Sequence, residues 1–346
     1  MTSFAAKFAD RSFRLLMKRE PATTKELVTR LRRLAAVARL PARLPSGVTI
    51  HKTTIGNEPA VPPGLPAVCV STERPTATVL YLHGGAFISG RFGMYADLCG
   101  QLAKRLNARV FWVDYRLAPE MPYPAALDDA CHAYNALAAD YPEDPLAIVG
   151  DSAGGNLTLA TLLRLRDALN AGDSGPRMPA CAVALSPGAD AVGDSPSRQA
   201  NAASDAMLTP RMIEMATALY VVDHDPRDPY VSPVYGDYTG LPPLMLTASE
   251  SEALRDDAYR VAHHARQAGV PVNLLTRWNM PHVWPVFYSM LPEARLDVAE
   301  IVDFMSRHLS LAAEQFPDTP RVKPHVVHSS QQAAQSRLHN GLGGAI

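Results

Sequence analysis

The sequence has few cysteines, no long apolar run and no excess of charge of either sign, and each absence excludes a class of protein. Its four cysteines lie far apart without a C-x-x-C pair, which argues against a disulfide framework or a metal site. No uncharged apolar run approaches the roughly 18 residues of a membrane-spanning helix. Lys and Arg total 33 against 34 Asp and Glu, which argues against nucleic-acid binding through bulk positive charge.

The remaining composition is that of a folded chain with a sizeable core. It has 346 residues, of which 47% are apolar, enough for one large domain or two small ones. Charged side chains interrupt the apolar residues between Met1 and Glu20, so no signal peptide is expected. Four thiols in apolar surroundings are expected to be reduced. We therefore predict a cytoplasmic protein.

Short apolar segments alternate with helical segments along most of the chain. The predicted strands are Val48–Ile55, Ala67–Ser71, Ala77–His83, Ala108–Tyr115, Leu146–Gly150, Ala180–Ser186, Pro243–Ala248 and Val272–Arg277. The helical segments between them are Met94–Leu106, Ala125–Ala139, Asn156–Ala171, Asp256–Gly269 and Glu293–Ser310. The first two strands are expected to form an antiparallel pair. Strands that are apolar on both faces and separated by helices predict a mostly parallel sheet covered on both sides.

Three segments depart from this alternation. Residues 1–45 consist of helical segments and a proline-rich connection, and residues 188–231 contain no convincing strand. We expect both to form a helical cap on a catalytic domain made of residues 46–187 and 232–312. Residues 313–346 are polar and without periodicity, which predicts a weakly ordered tail.

The segment with the clearest chemistry lies between an apolar strand and an apolar helix. It reads Gly150-Asp151-Ser152-Ala153-Gly154, a G-x-S-x-G motif. A serine in a sharp strand-to-helix turn projects its hydroxyl above the sheet, and glycines on either side avoid steric clashes. The free N–H groups of the helix N-terminus favour a developing negative charge. Ser152 is therefore the candidate nucleophile.

A second glycine-containing segment, His83-Gly84-Gly85-Ala86, directly follows an earlier strand. Loops of this type leave backbone N–H groups unpaired, as an oxyanion hole requires. An ordinary glycine turn is the alternative, but the position ahead of G-x-S-x-G favours the hole. We therefore place Gly84, Gly85 and Ala86 in the candidate oxyanion hole.

These motifs, with Tyr115-Arg116-Leu117-Ala118-Pro119-Glu120 between them, resemble the bacterial hormone-sensitive-lipase-like branch of the α/β-hydrolase fold. The similarity covers about residues 45 to 310. It implies an eight-stranded sheet with a helical cap, and hydrolysis of small carboxylic esters without a cofactor. It also implies that Gly85, Ala86 and Ala153 donate to the oxyanion. Members of this family often dimerise, so the resemblance leaves a homodimer open.

A catalytic base must follow the nucleophile, and His282 has the required setting. It lies in a loop after the last predicted strand, where this fold carries its base. The acid comes from Ser249-Glu-Ser-Glu-Ala-Leu-Arg-Asp-Asp257. The family's spacing aligns it with Glu252, although most relatives have Asp there, and Glu250 remains a rival. Asp151 is expected to be a structural hydrogen-bonding group rather than a member of the triad.

The sequence thus predicts a serine carboxylesterase that acts on short- to medium-chain esters through an acyl-enzyme. A lactone hydrolase would use the same groups. The alternative from another class is an inactive ligand-binding member of the fold, as the plant gibberellin receptor is in this wider family. That receptor type lacks the catalytic histidine, whereas His282 is present here.

Overall fold

The computed structural model describes residues 2–37, 44–56, 64–172 and 177–314. Within these ranges the strands are β1 (Val48–Ile55), β2 (Leu65–Thr72), β3 (Ala77–Leu82), β4 (Ala108–Val113), β5 (Leu146–Asp151), β6 (Cys181–Leu185), β7 (Leu244–Ser249) and β8 (Val272–Arg277). They form one sheet in the order β1-β2-β4-β3-β5-β6-β7-β8. β2 pairs antiparallel with β1 and β4, and all other neighbours are parallel. This arrangement confirms the predicted fold.

Helices cover both faces of the sheet and one end of it. Those in the described ranges are α1 (Phe4–Met17), α2 (Thr24–Val37), α3 (Ala96–Leu106), α4 (Ala125–Asp140), α5 (Ala153–Asn170), α6 (Ser197–Ala200), α7 (Pro210–Val221), α8 (Arg255–Gln267) and α9 (Pro292–Glu314). The sequence pattern missed α6, because four residues are too few to show a helical period. None of these helices is both long and apolar enough to cross a membrane.

Alternate residues of the central strands pack into two separate apolar cores. Leu80 and Leu82 of β3 face the core that contains residues of α4, α5 and α8. Val79 and Tyr81 of the same strand face the core formed with α3 and α9. Side chains of a strand point to opposite faces in turn. The continuous apolar runs in the sequence therefore correspond to strands buried on both sides.

The N-terminal helices lie beside the segment of residues 188–231. Leu27 of α2 packs against Met212 and Ala216 of α7. Arg14 of α1 donates to the carbonyl oxygen of Ala203 at 2.8 Å. These contacts bring the two segments expected to form the cap together over one end of the sheet. Of the predicted tail, residues 315–346 lie outside the described residues, and Ala313 and Glu314 continue α9.

Gly154 is the point where α5 packs most closely against the sheet. A Cβ atom at this residue would lie 2.0 Å from the Leu82 carbonyl oxygen and 2.6 Å from that of His83. Both atoms belong to the backbone, so neither moves without disturbing β3. A side chain of any size is therefore excluded at this position.

We predict that Gly154→Ala lowers the free energy of unfolding by about 3 kcal/mol or more, because it forces two backbone segments apart. The measurement is urea unfolding followed by circular dichroism. Gly188→Ala is the matched control, since its Cβ would meet only the Leu254 side chain at an ordinary 3.6 Å. Equal stability of the two variants would contradict the close contact.

Candidate active site

Ser152 occupies a strained turn between β5 and α5. Its φ of 53° and ψ of −116° lie outside the regions that non-glycine residues usually adopt. The Ser152 N–H donates to the Leu185 carbonyl oxygen at 2.8 Å, which ties the turn to the end of β6. The turn places the hydroxyl at the carboxyl end of the parallel strands, where ligands bind in open α/β sheets.

The three residues predicted as a triad lie in hydrogen-bonding contact. Ser152 Oγ is 2.8 Å from His282 Nε2, and His282 Nδ1 is 2.5 Å from Glu252 Oε2. Because a carboxylate only accepts, Nδ1 carries the proton and Nε2 is free to accept from the serine hydroxyl. His282 and Glu252 are both buried. The order serine, acid, histidine along the chain is that of α/β-hydrolases.

Serine hydroxyls fix the loop that carries His282. Ser249 Oγ donates to the Met280 carbonyl oxygen at 2.8 Å. Ser251 Oγ accepts from the Asn279 N–H at 3.1 Å. Both serines belong to the segment that also supplies Glu252, so acid and base are held by the same short stretch. Sequence reasoning missed these two serines, because nothing in their spacing distinguishes them from other loop serines.

The Glu252 carboxylate is held on both sides. Its second oxygen, Oε1, accepts from the Ser249 N–H at 2.7 Å. The Asn201 side chain donates to the Glu252 carbonyl oxygen at 2.9 Å. Glu250, the rival acid, points elsewhere and accepts from the Tyr259 hydroxyl at 2.6 Å. The structure therefore brings Glu252, and not Glu250, to His282.

The loop after β3 presents free amides beside the serine. The N–H groups of Gly85, Ala86 and Ala153 have no acceptor among the described residues. Gly84, predicted as part of the hole, differs, because its N–H donates to Asp151 Oδ1 at 2.9 Å. The candidate hole is therefore limited to the other three amides.

Positive φ angles of 121° at Gly85 and 60° at Ala86 turn the chain sharply at this loop. A Cβ at Gly85 would lie only 1.8 Å from the Ser89 carbonyl oxygen. Glycine is thus required at this position by space as well as by conformation. The neighbouring Ala86 adopts the left-handed conformation at a modest cost in strain.

His83 supports the loop from below the site. Its ring stacks on Tyr115 at 4.2 Å and on Trp112 at 4.7 Å between ring centroids. Burial lowers the pKa of His83 to about 4. The ring is therefore neutral, and Nδ1 donates to the Gly84 carbonyl oxygen at 2.8 Å. His83 orients the backbone of the loop and does not reach the serine hydroxyl.

Asp151 links the serine turn to the loop after β3. This contact agrees with the structural hydrogen-bonding role that the sequence predicts for Asp151. Besides the Gly84 N–H, it accepts from the Tyr81 hydroxyl at 3.1 Å and from the Tyr95 hydroxyl at 3.4 Å. Burial raises the pKa of Asp151 to about 6, against the opposing effect of these hydrogen bonds. It has no hydrogen bond to His282 or Ser152 side chains.

Burial and nearby carboxylates have opposite effects on the pKa of His282. Burial lowers its pKa, but the hydrogen bond to Glu252 and the carboxylates of Glu252, Asp205 and Asp151 raise it more. The pKa of His282 therefore lies above its ordinary value of 6.5. The carboxylates stabilise the imidazolium that would form when the histidine takes a proton from serine.

A cavity of about 500 Å³ has Ser152 and His282 in its lining. Nearly all of its other walls are apolar. Phe13 of α1, Leu31 of α2 and Met212 of α7 contribute to them. Phe87 stacks on Tyr220 with ring centroids 3.6 Å apart, which joins the loop after β3 to α7. The volume lies in the range of about 300–1,000 Å³ that small-molecule sites occupy. In the described part of the chain no cluster of side chains is suited to hold a metal ion.

Known proteins share this fold and much of the sequence. A family model of the α/β-hydrolase fold matches residues 79–286. An acetyl-hydrolase of Streptomyces hygroscopicus is 38% identical over 219 residues, 63% of this chain and 71% of that protein. An esterase of Acinetobacter venetianus is 36% identical over 232 residues, 66% of this chain and 74% of that protein. The chain therefore belongs to the α/β-hydrolase fold family.

The similarity also reaches a particular branch of that family. A crystal structure of an esterase from the bacterial hormone-sensitive lipase family matches with a TM-score of 0.76 and 31% identity. The match covers 89% of this chain and 99% of that one. These comparisons confirm the resemblance stated from the motifs and the predicted class of enzyme, a carboxylic ester hydrolase.

We predict that Glu252→Gln lowers the pKa of His282 relative to the wild type, because the hydrogen bond and the charge of Glu252 no longer oppose the effect of burial. The measurement is a pH titration of the imidazole by NMR in the wild type and the variant. Glu250→Gln is the matched control and is expected to leave the titration unchanged. An imidazole that titrates alike in all three proteins would contradict the pairing with Glu252.

Proposed function

We propose that the protein is a serine carboxylesterase that acts through an acyl-enzyme intermediate. The observation that carries this proposal is the hydrogen-bonded chain from Ser152 through His282 to Glu252. It lies beside three backbone amides that have no acceptor in the described part of the chain. Nucleophile, base, orienting acid and anion-binding groups are the parts that acyl transfer to serine needs.

In this mechanism His282 accepts the Ser152 proton as Oγ attacks the ester carbonyl carbon. The protonated imidazole then gives that proton to the departing alkoxide, which leaves the acyl group on Ser152. In the second half His282 takes a proton from water as the water oxygen attacks the acyl carbon, and it then returns this proton to Ser152 Oγ as the acid leaves. Glu252 keeps the proton on Nδ1 throughout. Because His282 must be neutral at the start, turnover needs a pH above its raised pKa.

The amides of Gly85, Ala86 and Ala153 are proposed to hold the oxyanion of each tetrahedral intermediate. They belong to two segments that Asp151 joins through the Gly84 N–H, so they need no rearrangement when charge develops. Donors fixed in advance are effective, since losing one such hydrogen bond typically costs about 10²–10³ in rate.

The apolar cavity supports esters with short to medium acyl chains as substrates. Its walls come from the segments that we propose as a cap, residues 1–45 and 188–231, and from the loop after β3. Apolar walls favour hydrocarbon groups on either side of the ester, and a volume of about 500 Å³ limits their combined size.

We predict that Ser152→Ala abolishes hydrolysis of p-nitrophenyl butyrate while the thermal unfolding temperature stays close to that of the wild type, because only the nucleophile is lost. Absorbance of released p-nitrophenol measures the rate. Ser310→Ala, which removes an exposed hydroxyl of α9 outside the cavity, is the control and should keep full activity. Turnover retained without Ser152 would contradict the mechanism.

A fluorophosphonate probe separates this enzyme from an inactive ligand-binding relative. Covalent labelling at Ser152 requires an activated hydroxyl, so labelling of the wild type and its absence in Ser152→Ala support the esterase. A protein that binds small esters but neither reacts with the probe nor turns them over would be the ligand-binding alternative.

We predict that kcat/KM for p-nitrophenyl esters is highest between acetate and octanoate and falls at least tenfold for palmitate, because the longest chain exceeds the closed cavity. Initial rates across this series, together with several lactones, provide the measurement. A maximum at palmitate would contradict the limit on chain length, and faster turnover of lactones would favour the lactone hydrolase.

A further inference from the structure

Helix α1 carries its most exposed apolar side chains on one face. Phe4, Phe8 and Leu15 are 85%, 65% and 87% exposed. At about 100° per residue, these three side chains lie within about 40° of one another around the helix axis. The opposite face packs on the protein, since Ala6 and Ala9 are buried. We call Phe4, Phe8 and Leu15 the apolar stripe. Large exposed apolar side chains aligned on one helix face are candidates for an interaction site.

The stripe belongs to a strongly basic part of the chain. Residues 2–37 contain nine Lys or Arg and three Asp or Glu, which gives a formal charge of +6 by subtraction. Because the whole chain has a net charge of −1, the remaining residues carry −7. Positive charge is therefore concentrated on the two N-terminal helices, although the average charge of the protein is near zero.

Several of these Lys and Arg side chains are available to bind an external partner. Lys7, Arg11, Lys25 and Arg33 are exposed, and their side chains form neither ion pairs nor hydrogen bonds with the described residues. Lys7 and Arg11 each follow a phenylalanine of the stripe by three residues, so they lie next to it on the helix surface. Cations beside Phe and Leu are typical of helices that lie in a membrane interface.

The apolar stripe also leads to the mouth of the cavity. Leu16, Val37 and Met290 line the cavity and are exposed to solvent at the same time. Leu16 directly follows Leu15 of the stripe, and Val37 ends α2. An apolar ester that enters here therefore passes next to the exposed face of α1.

We propose that this face of α1 docks on an anionic lipid surface. The apolar stripe would enter the acyl boundary of the surface, and Lys7 and Arg11 would meet its headgroups. A lipid surface fits both properties, whereas a second copy of the same face would bring like charges together. The negative remainder of the chain is repelled by anionic lipid, which turns the cavity mouth toward the surface. This binding is separate from ester hydrolysis, and its test needs no turnover.

The test is co-sedimentation of the full chain with vesicles. Vesicles of equal parts phosphatidylglycerol and phosphatidylcholine are compared with vesicles of phosphatidylcholine alone, at low and high salt. We expect the wild type to pellet with the anionic vesicles at low salt and to be released as salt screens the charges. A protein that stays in the supernatant with both vesicles overturns the proposal.

Two variants test the two components of the face. Lys7→Glu/Arg11→Glu is expected to weaken binding at least roughly thirty-fold, since each lost cation contributes about fivefold to partitioning on an anionic surface and each added carboxylate is repelled by it. Phe8→Ser/Leu15→Ser is expected to lower the fraction that pellets with anionic vesicles at low salt, because it removes the inserted groups. All four side chains are exposed, so both variants should fold.

The matched control is Lys104→Glu/Arg105→Glu, which makes the same change in charge at an exposed site at the end of α3. It is expected to bind vesicles like the wild type. Equal loss in the control would mean that net charge alone governs binding and would overturn a specific role for α1. Sedimentation velocity gives the last outcome: a dimer that Phe8→Ser/Leu15→Ser dissociates, with vesicle binding unaffected, would assign the face to self-association instead.

Discussion

The turn at Ser152 brings backbone against backbone at two places, and the rest of the site is built around those contacts. A Cβ at Gly150 would lie 2.2 Å from the Gly154 carbonyl oxygen, and one at Gly154 would lie 2.0 Å from that of Leu82. The nucleophile turn, the start of α5 and the end of β3 are therefore packed without side chains between them. This proximity sets the distance from the serine hydroxyl to the amides of the loop after β3. Backbone atoms held this closely cannot drift, so the arrangement exists before any substrate arrives.

Buried carboxylates stabilise the loops around this turn. Asp151, which accepts from the Gly84 N–H, is one of them. Asp257 is fully buried in α8 and accepts from the N–H groups of Ala189 and Asp190 at 2.9 and 3.1 Å. Burial raises the pKa of Asp257 to about 7. Asp190 in turn accepts from Arg260 at 2.8 Å. A buried charge is costly without partners, and these groups find theirs in backbone amides of irregular segments. The loops at the carboxyl end of the sheet are thereby held in one conformation although they lack regular structure.

The sequence predicts well those features that a repeating pattern or a fixed motif encodes. All eight strands lie within a few residues of their predicted bounds, since most are short apolar runs bounded by turn residues. The motifs point to Ser152 and His282 because the fold has a fixed order of elements. Glu252 followed only from the family's spacing, and Glu250 was separated from it by the structure. Asn201 and Asp205 could not be predicted. Their contacts with the segment that carries Glu252 cross about fifty residues of chain, and no local pattern records such a pairing. The placement of Gly84 in the candidate oxyanion hole was wrong, because a motif gives the residue types of a loop but not the acceptor to which each backbone N–H donates.

Asn201 belongs to the segment inserted between β6 and β7, yet its amide group donates to the carbonyl oxygens of both Glu250 and Glu252. The insertion thus does more than line the cavity, because it also holds the backbone of the segment that carries Glu252. If this insertion were exchanged between related enzymes to alter selectivity, the new insertion would also have to supply the hydrogen bonds that Asn201 donates. A donor sequence that lacks an amide side chain at this point leaves two carbonyl groups without their partner, and the backbone that carries Glu252 would lose a support even where the new walls suit the substrate.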